Sequence, residues 1–198
     1  MKILLVTDFP EYFIEKLEQY GDEILISCDI EITKEYLTTN RIEIILICGY
    51  NGILSHDVLV SATCIGIHFS MLPFGKGPEP ILASWINNEP IGVTIYEMNE
   101  DLDGGPIIMQ RTCPMDPESE TLESSIDKLL ECSSNLIDEC WSKIRSGSFE
   151  TEIQSFAGSH HNKKQVAQIF DLAVELGKQP VSVFLDNIQK MFPGFVLK

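Results

Sequence analysis

IEIILICGYNGILSHDVLVSATCIGIH, residues 42–68, passes from one nearly continuous apolar stretch to another through a glycine loop and a helical segment. The two apolar stretches, IEIILIC (42–48) and TCIGIH (63–68), are short and β-branched, as strands buried on both faces are. Between them SHDVLVSA (55–62) reads as a short helix with Ser55 placed to cap it. A strand, a helix and a strand in that order imply a right-handed βαβ unit with parallel neighbours.

The same alternation extends in both directions. Upstream, KILLVT (2–7) and EILIS (23–27) read as strands, and EYFIEKLEQYG (11–21) and EITKEYLTTN (31–40) as helices. Downstream, PILASWINNEP (80–90) reads as a helix with Pro80 in its first turn. IGVTIYEM (91–98) and GPIIMQRTCPM (105–115) are further strands. Residues 119–147 form a long helix whose stripe is Leu122, Ile126, Leu129, Leu130, Leu136, Ile137 and Trp141. The fold class is therefore α/β, an open, mostly parallel, Rossmann-like sheet with helices on both faces, over residues 1–147. Residues 148–198 form a C-terminal extension, a polar stretch and then two short amphipathic helices, QVAQIFDLAVELG (165–177) and VSVFLDNIQKMF (181–192). This helical tail is a candidate to dock on the main domain or on a second copy, as a homodimer.

Composition excludes several classes. Fourteen Lys and Arg stand against 30 Asp and Glu, a net charge of −16, and such a surface repels a phosphate backbone. Nucleic acid is therefore not an expected partner. No run is long enough for a membrane span, and MKILLVTDF is too short for a signal peptide, so a cytoplasmic protein is expected. Six scattered cysteines without a Cys-x-x-Cys pair argue against a disulfide framework or a zinc site, and no metal is expected.

In open α/β sheets ligands bind beyond the carboxyl ends of the strands. His68 closes one such strand, ahead of a loop shaped by Pro73, Gly75, Gly77 and Pro80. GYNGIL (Gly49, Tyr50, Asn51, Gly52, Ile53 and Leu54) follows another, and its glycines let a flat ligand approach the main chain. NEDLDGGP (99–106) places Asp103 ahead of two glycines. A lone histidine at a strand end is more often structural, and Leu-Asp-Gly-Gly alone is an ordinary turn signal. GKGP lacks the spacing of a phosphate loop. His160 and His161, beside Lys163 and Lys164, read as a solvated surface loop.

Taken together, these segments are more specific. IHFSMLPFGKGPEPILASWINNEPIGVTIYEMNEDLDGGPIIMQ (67–110) resembles the core of the folate-dependent formyltransferases, which include glycinamide ribonucleotide, methionyl-tRNA and nucleotide-sugar enzymes. The marks are His68, Ser70, Leu72 and Pro73, the Gly92–Thr94 strand, and Leu102–Pro106 followed by IIMQ. The resemblance implies formyl transfer from 10-formyltetrahydrofolate to an amine, with the reduced folate as co-substrate. It makes His68 the polarising or proton-handling group and Asp103 the residue that holds the imidazole or relays the proton. Gly49–Leu54 and the run Glu100, Asp101, Leu102 and Asp103 would seat the pterin. The family's oxyanion-binding asparagine falls on Gly66, which has no side chain, and loss of one such donor typically costs about 10²–10³ in rate. Ser70 and Asn51 are the candidate replacements; the alternatives are a folate-binding relative without catalysis and an α/β interaction protein.

The acceptor is narrowed by elimination. TDFPEYF after the first strand offers Asp8 and Glu11 where the glycinamide ribonucleotide enzymes hold phosphate. The tRNA enzymes carry a further C-terminal nucleic-acid-binding domain, for which residues 148–198 are short and acidic. The formyltetrahydrofolate-hydrolysing relatives carry an N-terminal regulatory domain that this sequence does not show. A nucleotide-linked amino sugar is the acceptor these features leave. GSHHNKK (158–164) resembles the Gly-x-x-His-x-x-Lys element of the sugar enzymes, and Ser70, Lys76, His161 and Lys163 are the candidate acceptor-binding residues.

Overall fold

The computed structural model describes every residue except Asp29, Asn51 and Lys198. Strands β1 (Lys2–Thr7), β2 (Glu23–Ser27), β3 (Ile44–Cys48), β4 (Thr63–His68), β5 (Gly92–Glu97) and β6 (Ile107–Thr112) form one sheet in the order β2-β1-β3-β4-β5-β6. β2, β1, β3 and β4 are parallel, while β5 and β6 run antiparallel. The continuous apolar runs become the inner strands, and every residue of β3 is buried. β2 and β6 are the edges and are correspondingly more exposed.

Strand alternation divides the core between the two faces. Ile3, Leu5, Ile44, Leu46, Ile65, Ile67, Val93 and Ile95 point to one side. There they meet α1 (Ile14–Glu18), α4 (Pro80–Asn87) and α5 (Leu122–Ser146). Leu4, Val6, Ile45, Ile47 and Cys64 point to the other, against α2 (Lys34–Asn40) and α3 (His56–Leu59). Gly66 and His68 share the parity of Cys64, so the candidate site lies on this second face. Helices thus cover both faces, as the alternation of segments requires.

Several boundaries differ from the sequence expectation. The helix expected over 11–21 is a 3-10 turn (Pro10–Tyr12) and then α1, because Phe13, at φ −115°, interrupts the helical path. The helix expected over 165–177 is two, α6 (Lys163–Ala167) and α7 (Phe170–Leu176), broken at Ile169 with φ −122° and ψ −6°. Ser55 precedes α3, but its side chain makes no capping bond. Beyond α8 (Val181–Met191), Leu197 folds back, exchanging hydrogen bonds with Asn87 at the end of α4. Ile169, Ala173, Val181, Phe184, Ile188 and Leu197 all pack into the core beneath α4 and α5. Among the described residues no helix is long and apolar enough to cross a membrane, and no disulfide joins the six cysteines.

The long helix α5 is capped by reciprocal bonds between Thr121 and Ser124 and ends at Gly147, whose φ of +65° suits a residue without Cβ. Its far end is anchored through Asp22, whose side chain is fully buried. Asp22 accepts hydrogen bonds from Arg145 Nε and Nη2, at 2.7 Å each, from the N-terminal amine at 3.0 Å and from Trp141 Nε1 at 3.3 Å. Burial pushes the Asp22 carboxyl up, but the bonds from Arg145, the amine and Trp141 outweigh it and hold the pKa below the ordinary 3.8. A depressed carboxyl pKa contributes stability above the unfolded value that is lost as pH falls through the folded one. Asp22→Ala strands the Arg145 guanidinium and is expected to cost about 3 kcal/mol. Urea unfolding should also show a smaller loss of stability below pH 4 in the variant than in the wild type.

Candidate active site

Two loops leave the carboxyl edge of the parallel strands, Gly49–Leu54 after β3 and Phe69–Glu79 after β4. The third candidate loop arrives from elsewhere. Because β5 is antiparallel to β4, the chain after Glu97 emerges at the opposite end, where Met98 N–H bonds Cys64 O at 2.8 Å. It then turns back through residues 99–104 and brings Asp103 to His68. Asp103 sits at φ +49°, a left-handed conformation that aspartate tolerates better than most residues. Gln154 braces the turn, its Nε2 donating to Asp103 O at 2.9 Å and Gly105 O at 2.8 Å.

The site is a chain of polar contacts. His68 and Asp103 side chains are only 10% and 11% exposed, with His68 Nδ1 3.8 Å from Asp103 Oδ1. His68 Nε2 lies 2.9 Å from Gly75 O, which can only accept, so Nε2 carries a proton. In the neutral ring Nδ1 then presents its lone pair toward Asp103, and the 3.8 Å gap is one that a shared proton or a water would close. Asp103 is held at both oxygens, by the Tyr96 hydroxyl on Oδ1 and by Gly77 N–H on Oδ2, each at 2.9 Å. Tyr96 was not among the residues singled out from sequence. Its signal is the register, since Tyr96 is the cross-strand partner of Gly66.

The loop after β4 is fixed from two sides. On the sheet side, Thr94 Oγ1 donates to Ser70 O and accepts from Leu72 N–H and Gln110 Nε2. Ser70 is fully buried and donates to Phe74 O at 2.6 Å. On the outer side, residues 158–161 run beside it. Lys76 N–H bonds Ser159 O, His161 N–H bonds Lys76 O, and Ser159 Oγ accepts from Gly75 N–H and donates to Glu89. His161 is not solvated as the sequence suggested. It is fully buried, with Nε2 donating to Pro78 O and Nδ1 without a hydrogen-bond partner. Burial pushes the His161 pKa below the ordinary 6.5, against the opposing pull of Pro78 O.

The remaining expected residues fall in two places. Tyr50 is half-buried against the second face, Gly49 takes φ +88°, Leu54 is buried and Ile53 is 86% exposed. Glu100, Asp101 and Leu102 are exposed on the returning loop. The two loops are tied by His56 Nδ1 and Glu100 Oε1, 2.7 Å apart. Asn51 lies outside the described residues. Lys76 is half-buried on the loop after β4, and Lys163 opens α6 on a cleft of about 580 Å³ that Glu79, Phe170 and Asp171 also line.

The sequence pattern of the Formyl transferase family matches residues 27–140, and the chain belongs to that family. It is 34% identical over 155 residues to the methionyl-tRNA formyltransferase of Thermotoga maritima, covering 75% of this chain and 48% of the relative. It is 31% identical over 106 residues to a dTDP-4-amino-4,6-dideoxyglucose formyltransferase of Mycobacterium bovis, covering 54% and 45%. The chain thus spans about half the length of the curated relatives it matches. Among solved structures it is similar to a formyltransferase of Anoxybacillus kamchatkensis in complex with UDP-4,6-dideoxy-4-formamido-L-AltNAc and tetrahydrofolate. The TM-score is 0.83 at 30% identity, over 93% of this chain and 97% of that one.

A buried histidine with a lowered pKa stays neutral in the fold and costs stability once the unfolded chain takes up its proton. Stability is therefore full above pH 6.5 and falls as pH drops below it. The thermal midpoint should decline as pH falls below about 6.5, and His161→Phe should flatten that slope.

Proposed function

We infer that the protein transfers the formyl group of 10-formyltetrahydrofolate to the amine of a nucleotide-linked amino sugar. The observation that carries the chemistry is the buried pair of His68 and Asp103, 3.8 Å apart. The acceptor amine attacks the formyl carbon, whose carbonyl oxygen becomes an oxyanion in a tetrahedral intermediate. The amine must lose a proton, and the folate nitrogen must gain one as its bond to carbon breaks. His68 with Asp103 is the couple suited to hold that proton in transit.

The sugar acceptor is supported by coverage. Among solved structures, the Anoxybacillus enzyme, seen with a formylated amino-sugar nucleotide, is matched along 97% of its length, and a methionyl-tRNA formyltransferase of Clostridium thermocellum along 74%. We assign Gly49–Leu54 and Glu100–Asp103 to the reduced folate. The exposed Ile53 and Leu102 offer apolar contact on the two loops that His56 and Glu100 tie together. Ser70 and His161, buried with their hydrogen bonds on loop backbone, we assign to shaping the site, and Lys76 and Lys163 to the acceptor.

Incubation with 10-formyltetrahydrofolate and a panel of amino-sugar nucleotides should yield a formamido sugar by mass spectrometry. His68→Ala and Asp103→Ala should each lower kcat by about 10²–10⁴ while folate binding by calorimetry persists. Folate binding without product in the wild type would instead favour the non-catalytic relative.

A further inference from the structure

Gly66 and Tyr96 face each other across the antiparallel β4–β5 pair, on the face that carries His68. The tyrosine ring occupies the volume that a side chain at position 66 would take. A Cβ on Gly66 would lie 2.5 Å from Tyr96 Cζ and 2.8 Å from its hydroxyl, distances that no carbon sustains. On its other edge the ring meets Gly105, where a Cβ would lie 3.2 Å from Tyr96 Cδ2. The register between β5 and β6 slips by one residue at Ile95 and Tyr96, a local irregularity that re-aims side chains. Two glycines and a bulge therefore surround one aromatic ring whose hydroxyl reaches Asp103 Oδ1 at 2.9 Å. That oxygen is also the one facing His68 Nδ1.

We propose that Tyr96 is a positioning residue of the transfer site, its hydroxyl holding the Asp103 carboxylate in line with His68 from a ring that fits only because Gly66 on β4 has no side chain. This rests on the formyl-transfer reading of the site. Oδ2 is fixed by Gly77 N–H, so the carboxylate has two donors on two oxygens and its plane is set. Without the hydroxyl, Oδ1 keeps only the 3.8 Å approach to the histidine, and the carboxylate can swing about the Gly77 bond. Burial raises the Tyr96 pKa well above 10.0, and the neighbouring Asp103 adds to it, so the hydroxyl remains a proton donor through the working range of pH. Gly66 is then half of a coupled pair: it is small because Tyr96 must fit.

Tyr96→Phe keeps the ring and removes only the donor. It should leave the thermal midpoint and KM for the folate near wild type, lower kcat by about a hundredfold and shift the acidic limb of the pH–rate profile. The ¹⁵N resonance of His68 Nδ1, assigned by its absence in His68→Ala, should move between wild type and Tyr96→Phe at fixed pH. Gly66→Ala, which must displace the ring, should show the same kinetic loss, and the double variant should be no worse than the poorer single. An unmoved Nδ1 resonance, or a Tyr96→Phe enzyme with wild-type kcat and pH profile, overturns the proposal. Additive losses in the double variant also count against it. A moved resonance in a wild-type protein that forms no formamido product overturns the function proposed above and leaves the coupling of Tyr96, Asp103 and His68 standing.

Discussion

Five residues of backbone, Pro73 to Gly77, hold the candidate site together. Gly75 O takes the Nε2 proton of His68 and so fixes which imidazole nitrogen is left with a lone pair. Gly77 N–H takes one oxygen of Asp103. Neither side chain would be aimed without that loop, and the loop has no regular structure to hold its own shape. Its rigidity is borrowed from Thr94 and Gln110 on the sheet and from residues 158–161 outside it. The sheet-side anchors lie on β5 and β6; the outer ones lie far along the chain, so the site is assembled by contacts distant in sequence.

The glycine and histidine of the segment GSHHNKK find their physical meaning here. Gly158, at φ +59°, lies so close to Pro73 that a Cβ would strike the proline's own Cβ at 2.7 Å. Gly77 makes the matching approach from the loop side, close against the His161 carbonyl. Two glycines thus let two backbones come together with a pair of hydrogen bonds between Lys76 and residues 159–161. His161 then seals the contact from within, bonded to Pro78 O. A segment that is polar and irregular in sequence becomes the brace of the loop after β4.

That difference marks where sequence reading ends. The inner strands were legible because burial on both faces demands an unbroken apolar run, as in IILIC (44–48), and that demand is local. The placement of His68 and Asp103 was legible through a pattern of several residues read jointly. The breaks at Phe13 and Ile169 were not, since the apolar spacing continues across both while φ moves to −115° and −122°. Nor was the burial of His161, beside two lysines, because what buries it is a loop more than eighty residues earlier. Tyr96 was hidden for the same reason: its importance depends on the residue opposite, and a strand's register does not appear in its own sequence.

The same consideration changes what Gly66 means. As a position in a string it is a lost side chain, and a lost donor at an oxyanion site is costly. In the sheet it is one side of an exchange in volume, with the phenol of Tyr96 standing where a longer residue 66 would reach. An aromatic ring is a stiff way to hold a hydroxyl, with two torsions and a packed body, whereas a short amide on β4 would depend on its own hydrogen bonds to stay aligned. The cost is tolerance. With the ring against it, Gly66 is not free to change alone, because a side chain there must displace the tyrosine; at Gly105 it is the Glu97 backbone that leaves no room for a Cβ.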